Sequence, residues 1–586
     1  MILMGLVQTN HAEESKVNFN RDIRPLLSDR CFHCHGPDEE DRKAGLRLDQ
    51  RDGEEGALNV LKLGDADASE IYQRITSDDP DRMMPPPDAH KRPLSEDEKQ
   101  RFQTWINEGA PYEAFWAFTS LEPPAPPTIP NDSWATSTID RFVKRKLDES
   151  GIAPQPTADR RTLLRRLSLD LTGLPPRREE ITSFLSDPSA NAYENAVDRL
   201  LKSPKFGEHI ARHWLDLVRF ADTNGIHHDH YRDLSPYRDW VIRSFNQNLP
   251  YDDFVRFQIA GDLYEKPSND QLIASGFNRL HMIIDRGTML PEESHARNVI
   301  DRVTSVGTAF MGLTVGCAVC HDHKYDPITS REFYQLYAFF NNIDATPETG
   351  GRSGNDFKRG LQEPYIELPN DEQQRSREDW LSQIAAVEKQ IADLKSEDSS
   401  KAEEDAKDIQ QKIKNLEATR NTLRGELGKL EMLIPAAMVM KERTDVRPAH
   451  IMIRGAYDNL GEQVQRGTPA FLPPMPEVVG RPRNRMDLAN WFVSKQHPLT
   501  ARVAVNRFWQ QLFGVGIVKT SEDVGAQGEW PSHPDLLNYL ASRFVTTGWN
   551  VKALMKEMVM SKTYQQSSRA TPEQYRVDPE NRLLAR

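Results

Sequence analysis

At 586 residues the chain has room for about three to five domains of roughly 100–200 residues each. A composition of 38% hydrophobic and 28% charged residues excludes a fibrous or wholly disordered protein. The formal charge of −13 leaves no basic footprint for nucleic acid, and no run approaches the ~20 apolar residues that span a bilayer.

The four cysteines fall in two copies of one pattern, Cys31-Phe32-His33-Cys34-His35 and Cys317-Ala318-Val319-Cys320-His321. C-x-x-C-H is the attachment signal of haem c: each thiol can join a haem vinyl group, and the histidine becomes the proximal iron ligand. A thioredoxin-type pair needs a βαβ context that neither site has. A zinc centre needs further ligands. Only His33, His323 and the cluster His227, His228 and His230 offer them, and no cysteine remains for a disulfide. The expected cofactors are therefore two covalently bound haem c groups, held by Cys31, Cys34, Cys317 and Cys320.

Met1–Glu14 has a short apolar run, Ile2–Val7, without a basic segment before it. It reads as the clipped end of an export signal, a wrong start site or an ordinary tail. Residues 17–110 read as a small helical domain. Ile23, Leu26 and Leu27 lead into the first motif, Ile71 and Ile75 share a helix face, and Ser95 with Glu98 forms a capping box before a helix that stops at Gly109. Between these helices lies Met83-Met84-Pro85-Pro86-Pro87. A methionine on a proline-stiffened loop suits a distal iron ligand. Met84 is the candidate, Met83 the reserve, and loop methionines packed on the core the alternative.

Residues 111–136 form a Pro-rich linker, extended and semi-rigid. Residues 137–345 are helical throughout, with Ile139, Phe142, Val143 and Leu147 on one face and the second motif at the end of an apolar helix. Residues 371–433 carry heptad spacing (Trp380, Ile384, Val387, Ile391, Leu394, then Ile409, Ile413, Leu416) and read as an antiparallel coiled-coil hairpin, a spacer or docking arm, with an intermolecular coiled coil as the alternative. Residues 434–586 open with short strands in PAAMVMKE and AHIMIRGAY, with EPYIEL as their pairing partner, and continue as helices. The chain stops at NRLLAR in mid-pattern, which suggests a truncated C-terminal region. The fold class is mainly α: a class I cytochrome c-like domain, a larger helical domain with the second haem motif, the hairpin, a small β segment and a helical C-terminal region.

These motifs together resemble the planctomycete-type cytochrome proteins. FNRDIRPLLSDRCFHCHGPD with RMMPPPD is similar to the planctomycete cytochrome C domain. WLDLVRFADTNG, YRDWVIRSFNQNLPYDDFVRFQIAGDL and GLTVGCAVCHDHKYDPI resemble DUF1549, and RGAYDNLGEQV with PLTARVAVNRFWQQLFGVGIVKTSEDVG resembles DUF1553. The resemblance implies haem c, residence outside the cytoplasm in the periplasm or at the cell surface, and genes that accompany sulfatases and polysaccharide-degrading enzymes.

The second haem lacks an obvious distal methionine. His228, with its neighbours His227 and His230, is the candidate ligand, and His281 and His295 are further ones; Met311 reads as a helix-packing residue. Asp322, His323, Lys324 and Asp326 read as groups that orient His321 or contact propionates. Asp222, Asp229, Glu292, Glu293 and Asp301 are candidate acid/base groups, with salt bridging as the bland alternative.

The leading functional reading is an extracytoplasmic dihaem cytochrome that transfers electrons with a redox partner protein, within an oxidoreductase linked to carbohydrate breakdown. Its substrate would be a polysaccharide or sugar-derived compound. The alternatives are a dihaem peroxidase-like enzyme and a non-catalytic surface scaffold.

Overall fold

The computed structural model describes residues 17–130, 132–226, 229–284, 290–345, 358–398 and 403–586. They form a mainly helical molecule with three small two-stranded sheets. None of its helices is long and apolar enough to cross a membrane.

The first unit contains α1 (Arg24–Arg30), the single turn α2 (Phe32–His35), α3 (Glu70–Ile75) and α4 (Glu96–Asn107). The capping box read from Ser95 and Glu98 closes in both directions: Ser95 N–H donates to the Glu98 carboxylate at 2.7 Å, and Glu98 N–H donates to Ser95 Oγ at 3.3 Å. The buried face of α4, Phe102, Trp105 and Ile106, meets Phe19, Ile23 and Leu27 in a core of its own.

The second unit begins with α5 (Thr138–Glu149), α6 (Arg160–Thr172), α7 (Arg178–Ser186), α8 (Ala192–Leu201) and α9 (Pro204–Leu217). It continues with α10 (Ser235–Gln247), α11 (Tyr251–Ala260), α12 (Asn269–Ser275), α13 (Pro291–Val306) and α14 (Ser330–Phe340). The apolar stripe of α5 is buried as its spacing requires. Strands β1 (Gly225–Ile226) and β2 (Ile283–Ile284) pair in parallel.

β3 (Tyr365–Glu367) pairs antiparallel with β4 (Ala436–Met438), as EPYIEL and PAAMVMKE suggested. Between them rise α15 (Asp371–Asp398) and α16 (Glu403–Glu431). The ion pairs Arg377–Glu431, Glu388–Arg424 and Lys395–Glu417 fix these helices as antiparallel, and Ile391, Ile409 and Ile413 fill their seam. AHIM, however, pairs elsewhere. It is β5 (Ala449–Met452), and its partner is β6 (Leu460–Val464), at the end of the segment RGAYDNLGEQV, where the sequence reading placed no strand.

The remaining long helices are α17 (Arg485–Phe492), α18 (Leu499–Phe513), α19 (Pro534–Thr546) and α20 (Val551–Met560), followed by short ones over Lys562–Gln565 and Pro572–Val577. They do not build a separate domain. One hydrophobic core runs from Ala117 to Ala585 and includes both α5–α14 and α17–α20. The buried Arg485 guanidinium pairs with Asp262 at 2.6 Å and donates to Ile259 O at 2.7 Å, and Thr563 N–H donates to the buried Asp140 at 2.9 Å. Helical periodicity shows that a stripe is buried, not which helix covers it, so the sequence placed a domain boundary inside one core.

The 111–136 segment, read as an extended, semi-rigid linker, is docked over its first part. Ala117 is buried, Phe118 lies 4.5 Å from Phe471 ring to ring, and buried Arg502 donates to Thr119 O at 2.8 Å. Phe115, Trp116 and Phe118, all before the prolines, dock this part of the linker on the main core.

Candidate functional site

The first motif is built by one helical turn. The N–H groups of Cys34 and His35 both donate to Cys31 O, at 3.0 and 2.8 Å, which brings Cys31, Cys34 and His35 to one side of the turn. The three residues line a cavity of about 360 Å³. Leu46, Leu48, Val60, Ile71 and Ile75 supply its apolar wall, and Met84 closes it together with Pro85. The Met84 backbone is anchored by a 3.0 Å hydrogen bond to Arg74 O. Met83 is not part of this wall.

These residues fit a haem: two thiols, an imidazole and a thioether face a largely apolar cavity. The His35 Nδ1 is buried without a close hydrogen bond. Burial lowers the basicity of this imidazole, although the backbone at Lys43 and Leu46 opposes the shift. Burial also pushes the Cys31 thiol up to about 12. Among the described residues no three His, Cys, Asp or Glu side chains converge as ligands for an ion.

The second motif follows a sharp reversal. Gly312, at φ 61°, ends the helical run after Met311, and a 3₁₀ turn over Val315–Val319 carries Cys317. Val315 and Ala318 face the core, and this leaves Cys317 and Cys320 exposed at the surface. Cys320 Sγ lies against Gly455, where a β-carbon would stand only 3.0 Å from it.

The His321 ring has a defined tautomer. Its Nδ1 lies 2.6 Å from Asp322 O, a pure acceptor, so Nδ1 carries the proton and Nε2 offers its lone pair. That is the form a proximal ligand needs. The Asp38 carboxylate stands 3.5 Å from the same Nδ1.

Asp38 belongs to the first unit, and this contact is part of a junction between the two motifs. Lys324 pairs with Asp38 at 3.6 Å and with Asp41. Lys324 O lies 2.9 Å from where a β-carbon at Gly36 would stand, and Tyr325 packs on the core of the first unit. The residues immediately after both motifs are thus in contact.

The sequence reads His323 and Asp326 as groups that orient His321 or contact propionates; in the fold their hydrogen bonds hold this loop in shape. His323 Nδ1 accepts from Asp326 N–H at 2.9 Å, and its Nε2 lies 3.1 Å from Thr314 Oγ1. Burial pushes this imidazole down to about 4, so it stays neutral. Asp326 accepts from Ala526 N–H at 2.7 Å, and burial pushes its carboxyl up to about 6. Asp322 accepts from Ser330 N–H at 2.8 Å at the start of α14.

Of the other histidines, His227 and His228 lie outside the described residues. His230 is half-buried beside Asn224, whose N–H donates to its carbonyl. His281 is buried, with Nε2 3.0 Å from the Arg302 guanidinium. His295 is held between Asn341 at 2.7 Å and Arg447 at 2.9 Å, and burial pushes it down to about 4. Both rings are engaged inside the fold, unlike the free ligands the sequence suggested. Met311 is fully buried in the core. Among the carboxylates, Asp301 pairs with Arg219, Glu293 pairs with Arg297, and Asp229 accepts from Gly225 N–H. Sequence reasoning missed Asp38, which is buried despite sitting in a polar, acidic run.

Three family models match the chain: planctomycete cytochrome C over residues 31–88, the DUF1549 family of unknown function over 138–345, and the DUF1553 family of unknown function over 484–586. Neither a search of the curated proteins nor one of the solved structures finds a match.

Proposed function

Because the chain joins a planctomycete cytochrome C domain to DUF1549 and DUF1553 domains, we propose that it is a dihaem c-type cytochrome in which electrons pass between two adjacent haem sites. The observation that supports this most is the junction itself, where Asp38 follows the first motif and meets His321 of the second at 3.5 Å. Cys31 and Cys34 would hold one haem c, with His35 and Met84 as axial ligands. Cys317 and Cys320 would hold the other, with His321 as proximal ligand. A haem so held supplies one-electron chemistry at its iron. The protein's part is to fix the two attachment turns against each other and to set the surroundings of each ligand.

Haem c attachment takes place on the outer side of the cytoplasmic membrane, so we place the protein in the periplasm or at the cell surface. A redox partner protein completes the pathway, and the family resemblance supports a role in carbohydrate breakdown. The hairpin α15–α16 would serve as a spacer or docking arm. A second, catalytic reading is favoured by the exposure of Cys317 and Cys320. An open sixth position there would suit a peroxidase-like enzyme.

Pyridine haemochrome analysis of denatured protein tests the proposal. Two covalently retained haems per chain are expected, falling to one in Cys317→Ala/Cys320→Ala. One haem in the parent protein would overturn it. Carbon monoxide difference spectra then separate the two readings: a CO-reactive reduced haem favours catalysis, and its absence favours electron transfer.

A further inference from the structure

The hairpin β5–β6 lies outside all three family matches, yet its turn touches the second motif. The turn reverses through two left-handed residues, Arg454 at φ 55° and Gly455 at φ 72°. Three backbone bonds brace it: Ile453 N–H donates to Asn459 O at 2.9 Å, Ala456 N–H to Ile453 O at 3.1 Å, and Asn459 N–H to Ala456 O at 3.1 Å. A turn so braced does not easily recede from what it touches. At Gly455 it meets the motif, where a β-carbon would stand 3.0 Å from Cys320 Sγ and 3.2 Å from Val319 Cγ1.

Helix α14 ties the same surfaces together. The buried Tyr334 hydroxyl donates to Val319 O at 3.0 Å, inside the motif, with Met452 O of β5 at 3.4 Å as the alternative acceptor. Burial, with Cys320 beside it, pushes that hydroxyl's pKa up. Arg331, also on α14, pairs with Glu462 of β6. The crowding at Gly455 weighs more on a bonded sulfur than on a thiol. Cys320 is exposed, and a free side chain can turn away from a new β-carbon. A thioether sulfur is held at both ends, so the room must come from residue 455. Glycine leaves that room, and it takes φ 72° without the strain a β-carbon brings.

We propose that the β5–β6 turn seats the Cys320 attachment of the second haem, with Gly455 giving the bonded sulfur its room and Tyr334 as the positioning residue that locks motif and turn together. The inference rests on the dihaem reading and adds to it a further segment of the chain that sets the surroundings of that haem. His321 follows Cys320 directly, so a displaced sulfur displaces the proximal imidazole, and the axial ligand tunes the potential of the iron.

Redox titration of the haem-loaded full chain tests this, read in the visible spectrum and in Soret circular dichroism. The wave absent from Cys317→Ala/Cys320→Ala identifies the second haem. Gly455→Ala should move that haem's one-electron equilibrium at least about threefold, roughly 30 mV, and change its Soret dichroism, while the other haem keeps its potential. Tyr334→Phe adds no atom and should move the same haem to a smaller degree; it decides the matter if Gly455→Ala does not fold. Gly480→Ala is the control, at φ 83° with nothing within 4 Å, so it brings the backbone strain without the contact and should move neither haem. A parent chain with one haem overturns this inference together with the dihaem reading. With two haems present, the inference alone falls if Gly455→Ala and Tyr334→Phe leave the second haem as in the parent, if they shift both haems alike, or if Gly480→Ala shifts it as much.

Discussion

The His321 ring presents Nε2 because the Asp322 carbonyl holds the proton on Nδ1, and Asp38 adds a negative charge beside that proton. A carboxylate so placed favours the oxidised, more positive iron. On the dihaem reading, Asp38→Asn should raise the midpoint potential of one haem by roughly 30–60 mV, up to a tenfold change in the one-electron equilibrium, and leave the other unmoved. A redox titration followed in the visible spectrum reads this directly. Met84→Ala should create a CO-reactive haem at the first site, measured as a new band in the reduced difference spectrum. Asp326 yields a pH prediction. Its folded value of about 6 lies above the ordinary 3.8, so the folded state holds the proton more tightly than the unfolded chain. Stability is then greatest below about pH 4 on this account and declines as pH rises toward 6, by about 2–3 kcal/mol. Asp326→Asn keeps an acceptor for Ala526 N–H and should flatten that decline, as urea unfolding at pH 5 and pH 7.5 can show. At this scale the gathering of Cys31, Cys34 and His35 on one side was legible, because the local C-x-x-C-H spacing fits one helical turn. Asp38 was not, because Lys324 and Asp41 at the same junction are 283 positions apart and no local pattern links them.

Among the elements, the hairpin α15–α16 is an insertion between two paired strands. Leu368 N–H donates to Pro435 O at 2.8 Å, so the chain leaves and re-enters the body at adjacent points. Replacing residues 371–433 with a short Gly/Ser loop should leave the rest folded, with a thermal midpoint within a few degrees of the parent and unchanged haem content. A large drop, or loss of haem, would show that the arm supports the body. Helix starts and stops were readable wherever a cap carried them, as at Ser95 and at Gly173, which stands at φ 69° after α6. The β5–β6 ladder was not, because Leu460–Val464 is mostly exposed and has none of the alternation that marks a half-buried strand.

For the molecule as a whole, two large hydrophobic cores among the described residues, besides the small seam of the hairpin, carry the stability, one in residues 17–110 and one across 117–585. Calorimetry should resolve two transitions. Arg485→Ala leaves Asp262 buried without its partner and should lower only the larger transition, by about 3–5 kcal/mol. A single transition that moves as one would mean that the junction couples the two cores fully. The merging of α17–α20 with the earlier helices escaped sequence analysis because each stripe is amphipathic by itself, and only the fold assigns its partner.

The anchoring of the segment before the prolines decides how the first unit can move. Its core ends at Ala110, and Arg502 grips the chain by Thr119. Residues 111–118 are all that lies between, a leash of at most about 30 Å. The slack of LEPPAPPTIP comes after the grip and gives the first unit no reach. A cytochrome on a long tether can swing between a donor and a distant acceptor. This one is berthed, so any outside molecule must travel to it.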